Sequence, residues 1–316
     1  MIRLIVLFIL SICLAPDLLS GVTVRRSVRE VLTIGARHGE ELYSVSGVAT
    51  DQESNIYVTD VMDYSVKKFD AHGRFLAKAG RRGGGPGEFK APATCVIWRD
   101  TLAVMQMNDP SVQLFSSGDL HYIKSIRMHD GLPMDIAFDY RGKLNVALLE
   151  EGINASVSEC DIESQLAPRR IRLAPTGKQS MLFNACKVAS SSSIPLIVAY
   201  CFVNRIDFYD GSGKVYQSIM FPGIRTLSDD GPGEDLPRET FTKGVVVDHK
   251  GNVWVLGGSV AEHDSRDICV FSTRGTVLFS VELPDKTRTL TLDANGFIYG
   301  TAAEGTLVRK YKLIPG

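Results

Sequence analysis

The stretch from Gly47 to Pro92 reads GVATDQESNIYVTDVMDYSVKKFDAHGRFLAKAGRRGGGPGEFKAP, and its pattern recurs along the chain. A short apolar run, Gly47–Thr50, ends in the polar turn Asp51–Asn55. Ile56–Asp60 alternates apolar and polar residues at period two, as a half-buried strand does. The turn Val61–Tyr64, the run Ser65–Asp70, the turn Ala71–Gly73 and the run Phe75–Ala79 complete one antiparallel meander of four strands.

Self-similarity at such a period means a propeller or a solenoid. The turn after each first strand falls at Asp51, Trp98, Asp139, Ala189, Asp248 and Asp293, at spacings from 41 to 59 residues. Three residues before each of these stand Val48, Cys95, Ile136, Cys186, Val245 and Leu290, all apolar, as a core layer between blades requires. The second blade is expected over Thr94–Met128, the third over Met134–Leu173 with an irregular stretch at Glu150–Glu163, and the fourth over Asn184–Phe221. After the insertion Pro222–Lys243, the fifth covers Gly244–Leu283. The sixth begins at Thr289 and stops after Leu313, one strand short. Val28–Ile34 followed by Gly35 matches Phe75–Ala79 followed by Gly80, so an N-terminal strand is expected to complete the last blade and leave no open edge.

Three phrases carry a family resemblance: G-V-A-x-D at Gly47, N-I-Y-V-T-D at Asn55, and G-G-G-P-G-E-F-x-x-P at Gly83. Together with Asn204-Arg205-Ile206 they make the unit similar to the NHL-type repeat, a blade of six-bladed β-propellers. The resemblance implies an all-β propeller of four-stranded blades over residues 28–316.

The 316 residues suffice for one large all-β domain with its own core. A net charge of −1 gives no bulk attraction to nucleic acid or acidic membranes. Leu4–Ala15 is apolar after Arg3 and is broken by Pro16; it is too short to span a bilayer and fits a signal-peptide core over residues 1–21. Export to a periplasm, cell envelope or medium is therefore expected, with no membrane anchor once the signal is cleaved. Of six cysteines none forms a C-x-x-C pair, which excludes zinc-ribbon and redox motifs. Cys95 and Cys186 sit at core positions as buried thiols, and Cys186 lies on a strand next to the one ending at Cys201.

Gly83–Gly87 lacks the G-K-[ST] and the following helix of a phosphate loop. Gly257–Ala261 lacks the last glycine of a nucleophile elbow. Arg81-Arg82-Gly83 is a single cluster in a near-neutral chain, so no nucleic-acid partner is expected. Strand direction places the links between blades and the loops between second and third strands on one face, called the upper face. These loops are long and varied, and function on rigid scaffolds concentrates on such loops. The expected ligand-binding residues are Arg81, Arg82 and Glu88 from one link, with Asp63, Asn108 and His263 from the loops.

The reading is thus an exported, monomeric propeller that binds a protein, peptide or polysaccharide through its upper face, with no catalytic residues, no metal and no cofactor. The alternative is a metal-dependent lyase or lactonase on the same fold. A zinc set from His38, His129 and His263 would resemble the peptide-amidating lyases; lactonase-like propellers use Glu, Asn and Asp around the axis, for which Asp135, Asn184 and Glu88 are candidates that do not make a full set.

Overall fold

The computed structural model describes residues 24–36, 41–107, 109–150, 154–164, 167–174, 176, 181–220, 241–257 and 265–314. The chain begins with β1 (Arg25–Arg26) and β2 (Val28–Ile34) and then forms six successive sheets. Blade 1 is β3 (Val45–Thr50), β4 (Ile56–Asp60), β5 (Ser65–Phe69) and β6 (Phe75–Ala79). Blade 2 is β7 (Pro92–Trp98), β8 (Thr101–Gln106), β9 (Ser111–Ser116) and β10 (Tyr122–Arg127). Blade 3 is β11 (Leu132–Phe138), β12 (Lys143–Leu149), β13 (Ala155–Asp161) and β14 (Arg169–Arg172). Blade 4 is β15 (Cys186–Ala189), β16 (Leu196–Tyr200), β17 (Ile206–Tyr209) and β18 (Val215–Ile219). Blade 5 is β19 (Gly244–Val247), β20 (Val253–Leu256), β21 (Ser265–Phe271) and β22 (Val277–Thr287). Blade 6 is β23 (Thr291–Leu292), β24 (Ile298–Ala302) and β25 (Leu307–Leu313), completed by β2. The protein is an all-β, six-bladed propeller of four-stranded antiparallel blades in a ring.

The lower turns explain why the sequence repeats as it does. Asp139, Asp248 and Asp293 each accept the N–H groups of the residues two and four positions on, at 2.8–3.0 Å. The glycine three positions on, Gly142, Gly251 or Gly296, takes φ near +80° to close the turn. In blade 1 Ser54 holds this left-handed position at φ 61°. The second carboxylate oxygen receives an aromatic donor six residues on: Tyr57 at 3.0 Å, Trp254 at 3.0 Å or Tyr299 at 2.9 Å from Asp51, Asp248 and Asp293. One aspartate therefore locks the turn and anchors the second strand.

Against the upward push of burial, donors from Trp254, Asn252 and Lys250 hold the Asp248 carboxyl below its ordinary 3.8. A depressed folded-state pKa contributes stability above the unfolded value and loses it as pH falls through the folded one. Acid melting below pH 3.8 is therefore expected to be less steep in Asp248→Asn than in the parent. Parallel melting curves from pH 5 to pH 2 would refute this.

The six aligned first-strand residues are all buried: Val48, Cys95, Ile136, Cys186, Val245 and Leu290 are between 1% and 6% exposed. They seed apolar clusters that bridge neighbouring blades, such as Ile34, Val48, Phe69, Tyr299 and Val308 between blades 6 and 1. Packing is close enough that a Cβ on Gly47 would stand 2.6 Å from the Ala93 carbonyl in blade 2. Hydroxyls latch adjacent blades: Ser46 donates to Pro92 O at 2.7 Å and Thr291 to Val48 O at 2.6 Å.

Ring closure follows the expected route, with β2 antiparallel to β25 from Val28↔Leu313 to Ile34↔Val308. A register shift between Glu30 and Leu32 leaves Val31 opposite no residue of β25, and Val31 is 42% exposed, whereas Ile34, paired with Val308, is 1% exposed. Unanticipated is β1, which adds to the outer edge of blade 5 parallel to β22, with Arg26 over the Phe279 ring at 4.2 Å. The N-terminal segment thus ties blade 5 to blade 6. The irregular stretch expected at Glu150–Glu163 is corrected: Ala155–Asp161 is a regular strand paired with β12 along its whole length. Its alternating Ser156 and Ser158 are small polar residues buried between sheets, a pattern that conceals the strand in the sequence.

Candidate functional site

Each first strand presents its free edge to the ring axis, and the six together enclose a channel of about 330 Å³. Because these strands run from the upper to the lower face, sequence order maps onto depth. Upper positions are held by Ser46, Thr94, Asp135, Lys243 and Arg288, while Ile97, Trp98, Phe138, Val247 and Leu292 lie toward the lower end. Lys187 enters the channel from blade 4. The lining carries three cationic side chains and one carboxylate, all from blades 3 to 6.

Asp135 links three blades. Its carboxylate accepts the Val188 N–H at 2.9 Å and pairs with the Lys187 ammonium at 3.6 Å, and it also takes a bond from the Thr94 side chain. Burial pushes the Asp135 carboxyl up, opposed by Lys187 and by the Val188 N–H. The same carboxylate raises Lys187, which outweighs burial and keeps the ammonium charged. Arg288 donates an Nη–H to the Glu304 carbonyl at 3.1 Å, a neutral acceptor. Cys186 and Cys201 are free, their thiols pushed up by burial, Cys201 to about 11. They are protonated at neutral pH and make poor nucleophiles.

Of the residues expected at the upper face, Arg81, Arg82, Glu88 and Asp63 fall beside this channel rather than in it. Arg81 donates to Glu88 Oε1 at 2.9 Å from Nε, and Glu88 Oε2 accepts the Gly85 N–H at 3.0 Å. That backbone bond, with the Arg81 guanidinium, holds Glu88 below the usual carboxylate range. The Arg82 guanidinium lies over the Tyr64 ring at 5.5 Å. Asp63 is clasped by Lys67 at 2.8 Å and Lys78 at 2.9 Å. Against the push of burial, these lysines and Ser65 hold its carboxyl low. Arg81, Arg82, Glu88 and Asp63 thus come together over blade 1, and each is engaged by a neighbour within the patch.

Asn108 and His263 lie outside the described residues, as do His38 and most of the Pro222–Lys243 insertion. His129 is exposed after β10. Of the axial trio, Asp135 lines the channel, whereas Glu88 does not and Asn184 is buried, accepting from Thr176 at 3.0 Å. Among the described residues no group of three or more His, Cys, Asp or Glu could hold a metal ion.

Lys187, Lys243 and Arg288 were not among the expected site residues. Their signal is positional: Lys243 and Arg288 stand two residues before the buried Val245 and Leu290, where blades 1 and 2 carry Ser46 and Ala93. A charged side chain at the entry of an innermost strand has the channel as its outlet.

No protein-family model matches the sequence, and no curated protein matches it. Solved structures do match in fold. A catalytically inactive virginiamycin B lyase from Staphylococcus aureus, with quinupristin, aligns with a TM-score of 0.56 at 12% identity, over 90% of this chain and 87% of that one. Hydrazine synthase from Kuenenia stuttgartiensis aligns with a TM-score of 0.56 at 16% identity, over 84% and 76%. At these identities the likeness is one of fold, and it agrees with the six-bladed ring described above.

Proposed function

We propose that the chain is an exported binding propeller of the NHL-repeat type that receives a ligand or partner on its upper face and performs no chemistry of its own. The asymmetry between the two faces carries this reading. The lower face is built from short turns whose carboxylates are consumed by their own backbone N–H groups, as at Asp139, Asp248 and Asp293. The upper face carries the varied links, the charged channel mouth and the exposed Tyr43 and Met62, which are 58% and 66% exposed. Mixed charge with a few large apolar side chains suits a polar partner such as a protein, peptide or polysaccharide.

The test places photo-crosslinking residues at Tyr43 and Met62 on the upper face and at His72 and Arg274 in the lower turns, in the native host. Adducts are expected from the upper positions alone. Adducts confined to the lower positions would reverse the functional face.

The metal-dependent lyase alternative draws support from the lyase among the structural neighbours. A stoichiometric divalent metal in the protein purified without added ions, lost in the triple change of His38, His129 and His263 to alanine, would favour it over binding alone.

A further inference from the structure

We infer that a second cavity, on the lower face between blades 1, 2 and 6, binds a neutral mono- or disaccharide against Trp98. The site lies on the face opposite the proposed partner surface and does not depend on it. Its origin is a departure from the repeat. Blades 1, 3, 5 and 6 place an aspartate at the head of the first turn, Asp51, Asp139, Asp248 or Asp293, engaged by the turn's own N–H groups. Blade 2 has Trp98 there, followed by only Arg99 and Asp100 between β7 and β8, where blades 1 and 6 use residues 51–55 and 293–297. Beside this short turn stands a cavity of about 530 Å³, walled by the lower turns of blades 1 and 6 and by Ser117 and Gly118 of blade 2. Thr50, Ile97, Trp98 and Leu292 line both this cavity and the axial channel, so the two meet at the lower mouth.

Polar groups in this cavity remain open, unlike those of the other lower turns. The Asp100 carboxylate and the Gln52 amide make no hydrogen bond or ion pair among the described residues. The Arg99 guanidinium overlies the Trp98 ring at 5.5 Å and pairs with no carboxylate among them. The Glu53 carboxylate accepts a single bond, from the Asn55 amide at 3.3 Å.

Lys68 points into the same place. It lines the cavity, is 8% exposed, and donates to Ser117 O at 2.8 Å and Gly118 O at 3.0 Å. An ammonium carries three N–H groups. One is therefore left without an acceptor, on a charge that no carboxylate pairs with among the described residues. Buried donors are as a rule satisfied, and a ligand oxygen in the cavity would satisfy this one.

The chemistry of the walls selects the ligand. With Asp51 engaged by its own turn, Glu53 and Asp100 balance Arg99 and Lys68, so charge favours neither an anion nor a cation. Donors and acceptors stand side by side, which suits hydroxyl groups, each able to donate one bond and accept two. The half-buried Trp98 indole, with Ile97 and Leu292, adds an apolar wall on which the C–H face of a sugar ring can pack. The volume falls in the range of about 300–1,000 Å³ usual for small-molecule pockets.

The experiment is calorimetric titration of the purified chain with glucose, galactose, mannose, N-acetylglucosamine, maltose, cellobiose and chitobiose, and with glycine betaine as a zwitterion that would match the same charges. At least one sugar is expected to bind saturably at one per chain and to change the indole fluorescence. Asp100→Ala is expected to weaken that sugar at least tenfold with the melting temperature unchanged. Trp98→Phe is expected to abolish the fluorescence change, leaving Trp254 as the one indole. The inference fails if no sugar of the panel binds saturably, or if glycine betaine binds as tightly as the best sugar. It fails equally if a folded Asp100→Ala binds that sugar like the parent, or if the fluorescence change persists without Trp98. Should Trp98→Phe not fold, Asp100→Ala, at an exposed position, decides. Sugar binding that survives both changes would lie elsewhere on the propeller and overturn the assignment, while crosslinks at Tyr43 and Met62 report on the upper face independently.

Discussion

A chain lacking residues 24–34 is expected to lose cooperative melting or to aggregate, whereas one lacking only residues 24–26 is expected to melt within a few degrees of the parent. The difference lies in what each strand covers. β2 supplies the fourth strand of blade 6 and places Ile34, 1% exposed, in the cluster that joins blades 6 and 1. Full burial of one such side chain is worth about 1.5–3 kcal/mol. Partly buried Val28 and Leu32 add to it, and the loss is set against a typical total of about 5–15 kcal/mol. Deletion also leaves β25 as an open edge, a template for pairing between chains. β1 contributes the Arg25–Glu282 ion pair and the Arg26 guanidinium over Phe279, and surface contacts of these kinds are worth about 1 kcal/mol or less each. Circular dichroism melts of the two truncations separate the cases. An unchanged melting temperature in the longer deletion would remove β2 from its closing role.

The fold was legible because short strand-like runs and a turn after each first strand recur six times over, the turn carrying an aspartate in four of them. Burial of all six residues from Val48 to Leu290 follows from that recurrence alone. What escaped reading depended on register and on neighbours. Val31 is an apolar residue of the closing strand, yet it falls at the shift between Glu30 and Leu32, opposite no residue of β25, and is 42% exposed. β13 was obscured because its inward residues include serines. At the candidate site the sequence led to exposed loop charges, and the structure shows how those charges are used. Arg81 and Glu88 brace the glycine-rich link, and Asp63 is clasped by two lysines. Lys243 and Arg288 lie 45 residues apart in the chain and line the same channel as Asp135 and Lys187 only through the curvature of the ring. No local pattern encodes that convergence; alignment of the six first strands is the one route to it.

Asp60→Ala is expected to be the most damaging single substitution in blade 1, costing about 3–5 kcal/mol, the scale for removing one partner of a buried ion pair. Asp60 ends β4 with no exposure, and its two oxygens serve four donors. One accepts the Ser44 N–H at 3.0 Å and the Asp63 N–H at 3.3 Å; the other accepts the Tyr43 N–H at 2.9 Å and the Lys67 ammonium at 3.2 Å. The carboxylate therefore fixes the segment entering blade 1 to the turn leaving its second strand. Alanine would strand an ammonium whose side chain is 7% exposed, with Asp63 as its remaining carboxylate partner, and would release three N–H groups. Asp60→Asn keeps the shape and one acceptor but loses the charge, so an intermediate loss is expected. The double change Asp60→Ala with Lys67→Met removes the stranded cation, and its cost is expected to fall at least 1 kcal/mol short of the sum of the two single changes. Residues that share a network couple in this way. Urea denaturation of the parent, the three single variants and the double variant measures all three quantities. A loss of less than about 1 kcal/mol in Asp60→Ala, the range of an ordinary surface change, would mean that Lys67 and the entry segment find other partners and that Asp60 does not hold the blade together.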